Sequence, residues 1–284
     1  MAVIVGYVVV LLSVFGGFAL AGGHLASLLQ PIELLMIGGA AAGAFIVGNT
    51  GKAIKATLKS LPKTMKGTKY SKEIYMELMA LLYELLNKVR KEGLMSIEGD
   101  VEEPAESAIF AKYTKVVGDH HVIEFMTDYL RIMVSGNLNA MEIENLMDVE
   151  IDTHHHEEML PSHTIAKLAD GMPAFGIVAA VMGVVHTMAS VGLPPSELGM
   201  LIAHALVGTF LGILLGYGFV GPLATQLEQK AMEGTKILNV IKVTLLANLN
   251  GYAPAMAVEF GRKVLDSTER PGFLELEEYV KQKR

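Results

Sequence analysis

The chain has no cysteine. That excludes a disulfide framework, a thiol nucleophile and an iron–sulfur cluster. It also has no dense basic tract: 23 Lys and Arg stand against 30 Asp and Glu, a formal charge of −7, so nucleic acid is not an expected partner. A cleaved signal peptide needs a basic start, and Met1-Ala2-Val3 runs directly into apolar sequence, so the first segment is expected to stay in the mature protein. Above all, charge is missing over long stretches. No Asp, Glu, Lys or Arg occurs from Met1 to Ile32, from Leu34 to Gly51, from Gly171 to Ser196 or from Leu198 to Leu227, and only Glu33 and Glu197 interrupt these gaps.

What fills the gaps is apolar. Over the whole chain 51% of residues are hydrophobic and the mean hydropathy is +0.41, too high for a soluble domain of this length. A helix needs roughly 20 apolar residues to cross about 30 Å of hydrocarbon, so the gaps hold four spans in two hairpins. We place them at Val3 to Ala21, Leu34 to Thr50, Pro173 to Ala189 and Leu201 to Val220. The expected fold class is all-α, an integral membrane protein of four transmembrane helices with a cytoplasmic helical bundle. Residues 1–50 form the first hairpin, 51–170 a cytoplasmic helical domain, 171–222 the second hairpin and 223–284 a cytoplasmic helical tail.

Orientation follows from the cations. Fourteen Lys and Arg lie between Gly51 and Asp170 and nine after the fourth span, with none in the turns Gly22 to Glu33 and Ser190 to Glu197. By the positive-inside rule both large segments, and with them both termini, are cytoplasmic. Lys52, Lys55, Lys59 and Lys63 form the strongest anchor. In the central segment Ile74, Leu78, Leu81, Leu82, Leu85 and Val89 make a helical stripe behind a Ser71 cap, stopping at Gly93. Val122 to Val134 reads as a second helix, and the tail continues the pattern with apolar Ile237 to Leu249 and charged Phe273 to Lys283. No strand pattern competes.

Small residues recur in the spans at helical spacing: Gly39 and Gly43, Ala179 and Gly183, then Gly208, Gly212 and Gly216. Such ridges let helix backbones approach closely, either within one chain or against a second chain or an inserted partner helix. The spans as bounded contain no carboxylate, Lys or Arg, so either this chain moves no ion or the ion-carrying group belongs to a partner. His186 and His204 read as packing histidines rather than relays, and Thr209 as a helix-bonded hydroxyl. His154, His155 and His156 read as a solvated loop, since consecutive histidines on a helix would point around it rather than at one metal. Gly48 to Ala53 fails as a phosphate-binding loop, because Ile46 and Ala53 stand where Gly and Ser or Thr are needed. No catalytic or metal site emerges, and the sequence reads as a non-enzyme without a cofactor.

Lys88, Arg90, Lys91, Glu92 and Glu98 cluster around Gly93, which on composition alone is a solvated helix end. A wider comparison changes this reading. PAFGIVAAVMGVVHTM (Pro173 to Met188) and HALVGTFLGILLGYGFVGPLA (His204 to Ala224) resemble the paired third and fourth spans of the MotA family of flagellar motor stator subunits. LNGYAPAMAVEFGRK, ERPGFLELEEY and FIVGNTGKAIK are similar to that family's tail and second-span exit, so the resemblance covers nearly the whole chain.

The resemblance implies an inner-membrane stator ring of five such chains around two copies of a single-span MotB-type partner, whose Asp carries the proton. It implies torque on the rotor protein FliG through Arg90 and Glu98, with Lys88 and Lys91 nearby. It further marks Pro173 and Pro222 at the cytoplasmic ends of the third and fourth spans, Asp170 just before the former, and Thr209. Proline in the first turn of a span leaves out a donor that has no helical partner anyway. Sodium-driven relatives carry Thr where this chain has Ala180, so the expected driving ion is the proton. The alternatives are an ExbB or TolQ type energy transducer and a passive membrane scaffold.

Overall fold

A single span crossing hydrocarbon must satisfy each backbone N–H and C=O within itself, and the α-helix does so. A computed structural model, which describes residues 2–136 and 139–283, contains only helices and turns among the described residues. Four helical stretches are long and apolar enough to cross a membrane: Ala2–Leu20, Leu25–Val47, Ala140–Met188 and Pro195–Leu249. In chain order we name α1 (Ala2–Leu20), α2 (Pro31–Val47), α3 (Gly51–Ser60), α4 (Lys72–Glu92), α5 (Glu98–Glu102), α6 (His120–Ser135), α7 (Ala140–Met188), α8 (Pro195–Leu249), α9 (Pro254–Val264) and α10 (Phe273–Lys283). The chain divides into two compact units, Met1–Gly67 with Glu158–Gln229 and Thr68–Glu157 with Lys230–Arg284.

The first unit is built on glycine. A Cβ added to Gly176 would stand 2.7 Å from the Gly208 carbonyl oxygen, and one on Gly212 would stand 2.7 Å from that of Met172. The ridge Gly208, Gly212 and Gly216 is therefore used inside the chain, where it lets α7 and α8 meet backbone to backbone. Gly39 and Gly43 on α2 are different: nothing lies within 4 Å of where their Cβ would be. Ile37 on α2 joins Ala179, Val207 and Leu211 in the buried center of this unit.

Pro173 corrects the expectation of a first-turn proline, because it lies inside the 49-residue α7 together with Pro161. There its ring removes the bond that the Ala169 carbonyl would otherwise accept. That carbonyl turns to α8, where a Cβ on Gly216 would stand 2.7 Å from its oxygen and 3.1 Å from Pro173 Cδ. Glycine at 216 thus makes the proline tolerable, and a Cα–H faces the freed oxygen. Pro222 also lies inside a continuous helix, α8. Ahead of it Leu214–Val220 is π-helical, and the Gly221 N–H donates to the carbonyl of Gly216, five residues back. This wider turn absorbs the donor that proline lacks.

The second unit is packed by large side chains. Leu78, Leu81, Leu82 and Leu85 of α4 are fully buried with Phe110, Tyr129, Leu130, Ile241 and Leu245. Ser71 precedes α4 without a side-chain capping bond, and Gly93 ends it at φ +89°, donating its N–H to the Val89 carbonyl at 2.9 Å. His154, His155 and His156 are not in a loop; they lie within α7. Met147, Ile151 and Met159, spaced by four and eight, are the buried positions that carry the helix through this polar run. His155 Nδ1 lies 2.8 Å from Thr235 Oγ1, and the His154 ring is 5.3 Å from that of His121.

Candidate functional site

In the second unit, the end of α4 and the start of α5 bring together the four charged residues singled out in the sequence. The left-handed Gly93 reverses the chain, a short 3-10 turn follows at Leu94–Ile97, and Ile97 anchors it in the core. Arg90, Lys91 and Glu98 are exposed, and none of them enters an ion pair among the described residues. Lys88 is different. Its Nζ lies 2.7 Å from Asp100 Oδ2, and Ser107 Oγ donates to Asp100 Oδ1 at 2.6 Å. Arg131 fastens the same corner, donating to the Val101 carbonyl at 3.0 Å and to Glu102 at 3.1 Å. Lys88 thus holds the platform, while Arg90, Lys91 and Glu98 present both signs of charge to whatever approaches.

The other marked residues lie in the first unit, along α7 and α8. Asp170 is exposed, Pro173 and Thr209 are half-buried, Pro222 is exposed and Ala180 is buried. Pro173 meets Gly216, and the Ala180 N–H side of α7 lies 3.2 Å from where a Cβ of Gly208 would be. Ala180 brings no oxygen to this contact.

One residue of this unit escaped the sequence reading. A span that ends at its first charge leaves Glu33 in the turn Gly22 to Glu33. Glu33 instead occupies the first turn of α2, inside the span-length stretch Leu25–Val47, and is only 8% exposed. Glu33 Oε2 lies 2.7 Å from where a Cβ of Gly208 would stand, and Oε1 lies 3.8 Å from that of Gly183. The carboxyl fills a notch left by two glycines. The signal was legible in Pro31, which favours a helix beginning there and so puts Glu33 within it.

Away from the spans, Asp119 shows how the second unit uses its charges. Burial alone would raise its carboxyl, but Lys69 and Tyr70, each 2.7 Å from Oδ2, hold it below its ordinary value. Glu259 is likewise held low, by the Arg262 guanidinium, which donates to both carboxylate oxygens at 2.6 Å.

Residues 4–93 match the motility protein A N-terminal family, and residues 118–239 match the MotA/TolQ/ExbB proton channel family. Motility protein A of Salmonella typhimurium is 58% identical over 99% of this chain and 95% of its own length. The chain belongs to the motility protein A family. Motility protein A of Escherichia coli is 57% identical over the same shares, and chemotaxis protein LafT of Vibrio parahaemolyticus is 37% identical over 97% of this chain and 96% of its own. The fold agrees with that of Campylobacter jejuni MotAB, at TM-score 0.77 and 20% identity over 94% of this chain and 96% of the other. It also agrees with the flagellar MotAB stator complex of Bacillus subtilis, at TM-score 0.74 and 23% identity over 90% and 92%. As a motility protein A family member, this is a multi-pass inner-membrane protein with the flagellar stator proton-channel role. These relatives are motility and chemotaxis proteins, and nothing among them favours the energy-transducer alternative.

Proposed function

We propose that this chain forms a pentameric ring around two copies of a single-span MotB-type partner and converts proton passage into torque on FliG, without enzymatic chemistry or a cofactor. The observation that carries this reading is the near-full-length identity with two motility proteins A. Both termini and both lysine-rich segments face the cytoplasm, by the cation distribution. Ala180 supports the proton as driving ion, because it offers no hydroxyl to a dehydrated cation.

The physical steps use named groups. A charged carboxylate at mid-bilayer costs about 2.5–3.5 kcal/mol, and one charge falling through ~100 mV releases about 2.3 kcal/mol. The two are comparable, so neutralising one partner carboxylate is enough to shift the ring between neighbouring packing positions. Pro173 against Gly216 and the π turn before Pro222 are the places where α7 and α8 depart from regular helix, which makes them the elbows through which a change at the pore moves the remainder of these helices. Arg90 and Glu98, exposed and unpaired among the described residues, then press on complementary charges of the rotor. Arg90→Glu is expected to cut torque severely while membrane insertion and partner binding persist. Measured by tethered-cell rotation together with co-purification of the partner, unchanged rotation would remove Arg90 from the rotor contact.

A further inference from the structure

The two short turns opposite the lysine-rich segments each end in the same local motif. Pro31-Ile32-Glu33 opens α2 and Pro195-Ser196-Glu197 opens α8. An acid in the first turn needs no special account, since the helix N-terminus favours negative charge. Glu197 shows the motif in that ordinary form, exposed. Glu33 departs from it: the side chain is more than nine-tenths buried, and Oε2 has no hydrogen-bond partner among the described residues.

Its surroundings explain why no partner is found. The carboxyl faces Gly183 of α7 and Gly208 of α8, with Ala179, Ala180 and Ala205 beside these glycines. None of these side chains carries a donor. Over residues 24–28, 176–190 and 195–212, the stretches that flank the notch, the titratable groups are His24, His186, Glu197 and His204, and all four are exposed. No cation among the described residues pairs with Glu33. A buried polar group without a partner destabilises the fold, so a notch cut by two glycines around an unpaired carboxyl is the construction expected of a group whose partner comes and goes.

We propose that Glu33 is an ion-binding carboxyl of this chain itself, taking up and releasing a proton at the lysine-free end of the span bundle. A proton needs a single lone pair, which Oε2 offers; a dehydrated metal cation needs several oxygen ligands, which glycine and alanine side chains do not supply. The step is balanced: the carboxylate oxygen gains a proton, an O–H bond forms, and the same bond breaks on release to the next acceptor. This inference rests on the stator reading for its meaning, though its test does not depend on torque.

The test uses the full chain co-expressed with a MotB-type partner and reconstituted in lipid vesicles, read by pH-difference infrared spectroscopy in the carboxyl C=O region. The expected result is a band that appears on acidification, is absent in Glu33→Gln and is kept in Glu197→Gln. Identical spectra for wild type and Glu33→Gln would overturn the proposal. If Glu33→Gln fails to assemble, Glu33→Asp decides: a carboxyl one methylene shorter in the same notch is expected to shift the midpoint of the band, and an unchanged midpoint overturns the assignment. Loss of the band on adding sodium at fixed pH would make the site a sodium site and overturn the proton assignment. In cells, Glu33→Gln is expected to slow rotation where proton supply limits it, with Glu33→Asp restoring part of the speed. Absence of rotation with the wild-type chain would sink the stator reading and leave the infrared result to judge Glu33.

Discussion

The two units of this protein bury and expose apolar residues by opposite rules. In the span unit Val5, Leu12 and Leu35 are 61%, 68% and 73% exposed, whereas in the other unit Leu78, Leu81 and Leu82 have no exposed surface at all. Hydrocarbon is the solvent of the first and water that of the second, so large apolar side chains drive packing only where water would otherwise touch them. The span unit is held instead by what it lacks: Gly176, Gly208, Gly212 and Gly216 bring backbones together. Cohesion comes from side-chain volume in one region and from missing side chains in the other.

Substitutions that add or remove volume should therefore act in opposite senses in the two units. The largest effect is expected at Gly212→Val. Its Cβ alone would stand 2.7 Å from a carbonyl oxygen and 2.8 Å from the Gly176 Cα, both backbone atoms that cannot step aside. Loss of assembled protein in the membrane and of rotation is expected, while Gly43→Val, on the open face of α2, should leave chain folding intact by the same membrane assay. Normal levels of Gly212→Val would break the comparison. Next comes removal of volume from the water-facing unit: Leu82→Ala should destabilise it by about 2–5 kcal/mol, read as earlier protease cleavage between Thr68 and Glu157 on heating the full-length protein.

The smallest effect sharpens the same contrast through charge, which the second unit can bury because it supplies partners. Asp119 is held below its ordinary value in the folded protein, as burial is outweighed by Lys69 and Tyr70. A carboxyl held low in the folded state stabilises it at pH above the unfolded value, and that contribution fades as pH falls through the folded value. Asp119→Asn should thus cost about 1–2 kcal/mol near neutral pH and little in acid, flattening the acid limb of a melting profile. A profile parallel to wild type would show that the Asp119 contacts contribute nothing net.

Charge carried much of the fold on its face. Each of the four spans read from the gaps in Asp, Glu, Lys and Arg overlaps one of the four helical stretches long and apolar enough to cross a membrane, because charge is what a bilayer excludes most strongly. Ser71 and Gly93 bracket α4 to within a residue, Gly93 because its positive φ suits glycine and Ser71 although its side chain makes no capping bond. The same gap logic hid Glu33, as a rule that ends a span at its first charge cannot find a charge inside one. That consecutive histidines point around a helix rules out a shared metal but not the helix itself, and Met147, Ile151 and Met159, which carry the helix past His154 to His156, lie outside the polar run. Pro173 was seen, but not that Gly216, over forty residues later, receives the carbonyl it frees; that pairing is tertiary and has no local trace. The exposure of Arg90 and Glu98 followed from their place around Gly93, whereas the tether of Lys88 to Asp100 needed the turn geometry.

The most direct measurement is rotation of tethered cells that lack their own motility protein A, with and without this chain, at fixed sodium and varied proton gradient. Rotation restored by the chain, with a speed that follows the proton gradient, is the predicted result. Rotation that follows sodium instead, or none despite membrane insertion and binding to the MotB-type partner, would contradict a proton-driven stator.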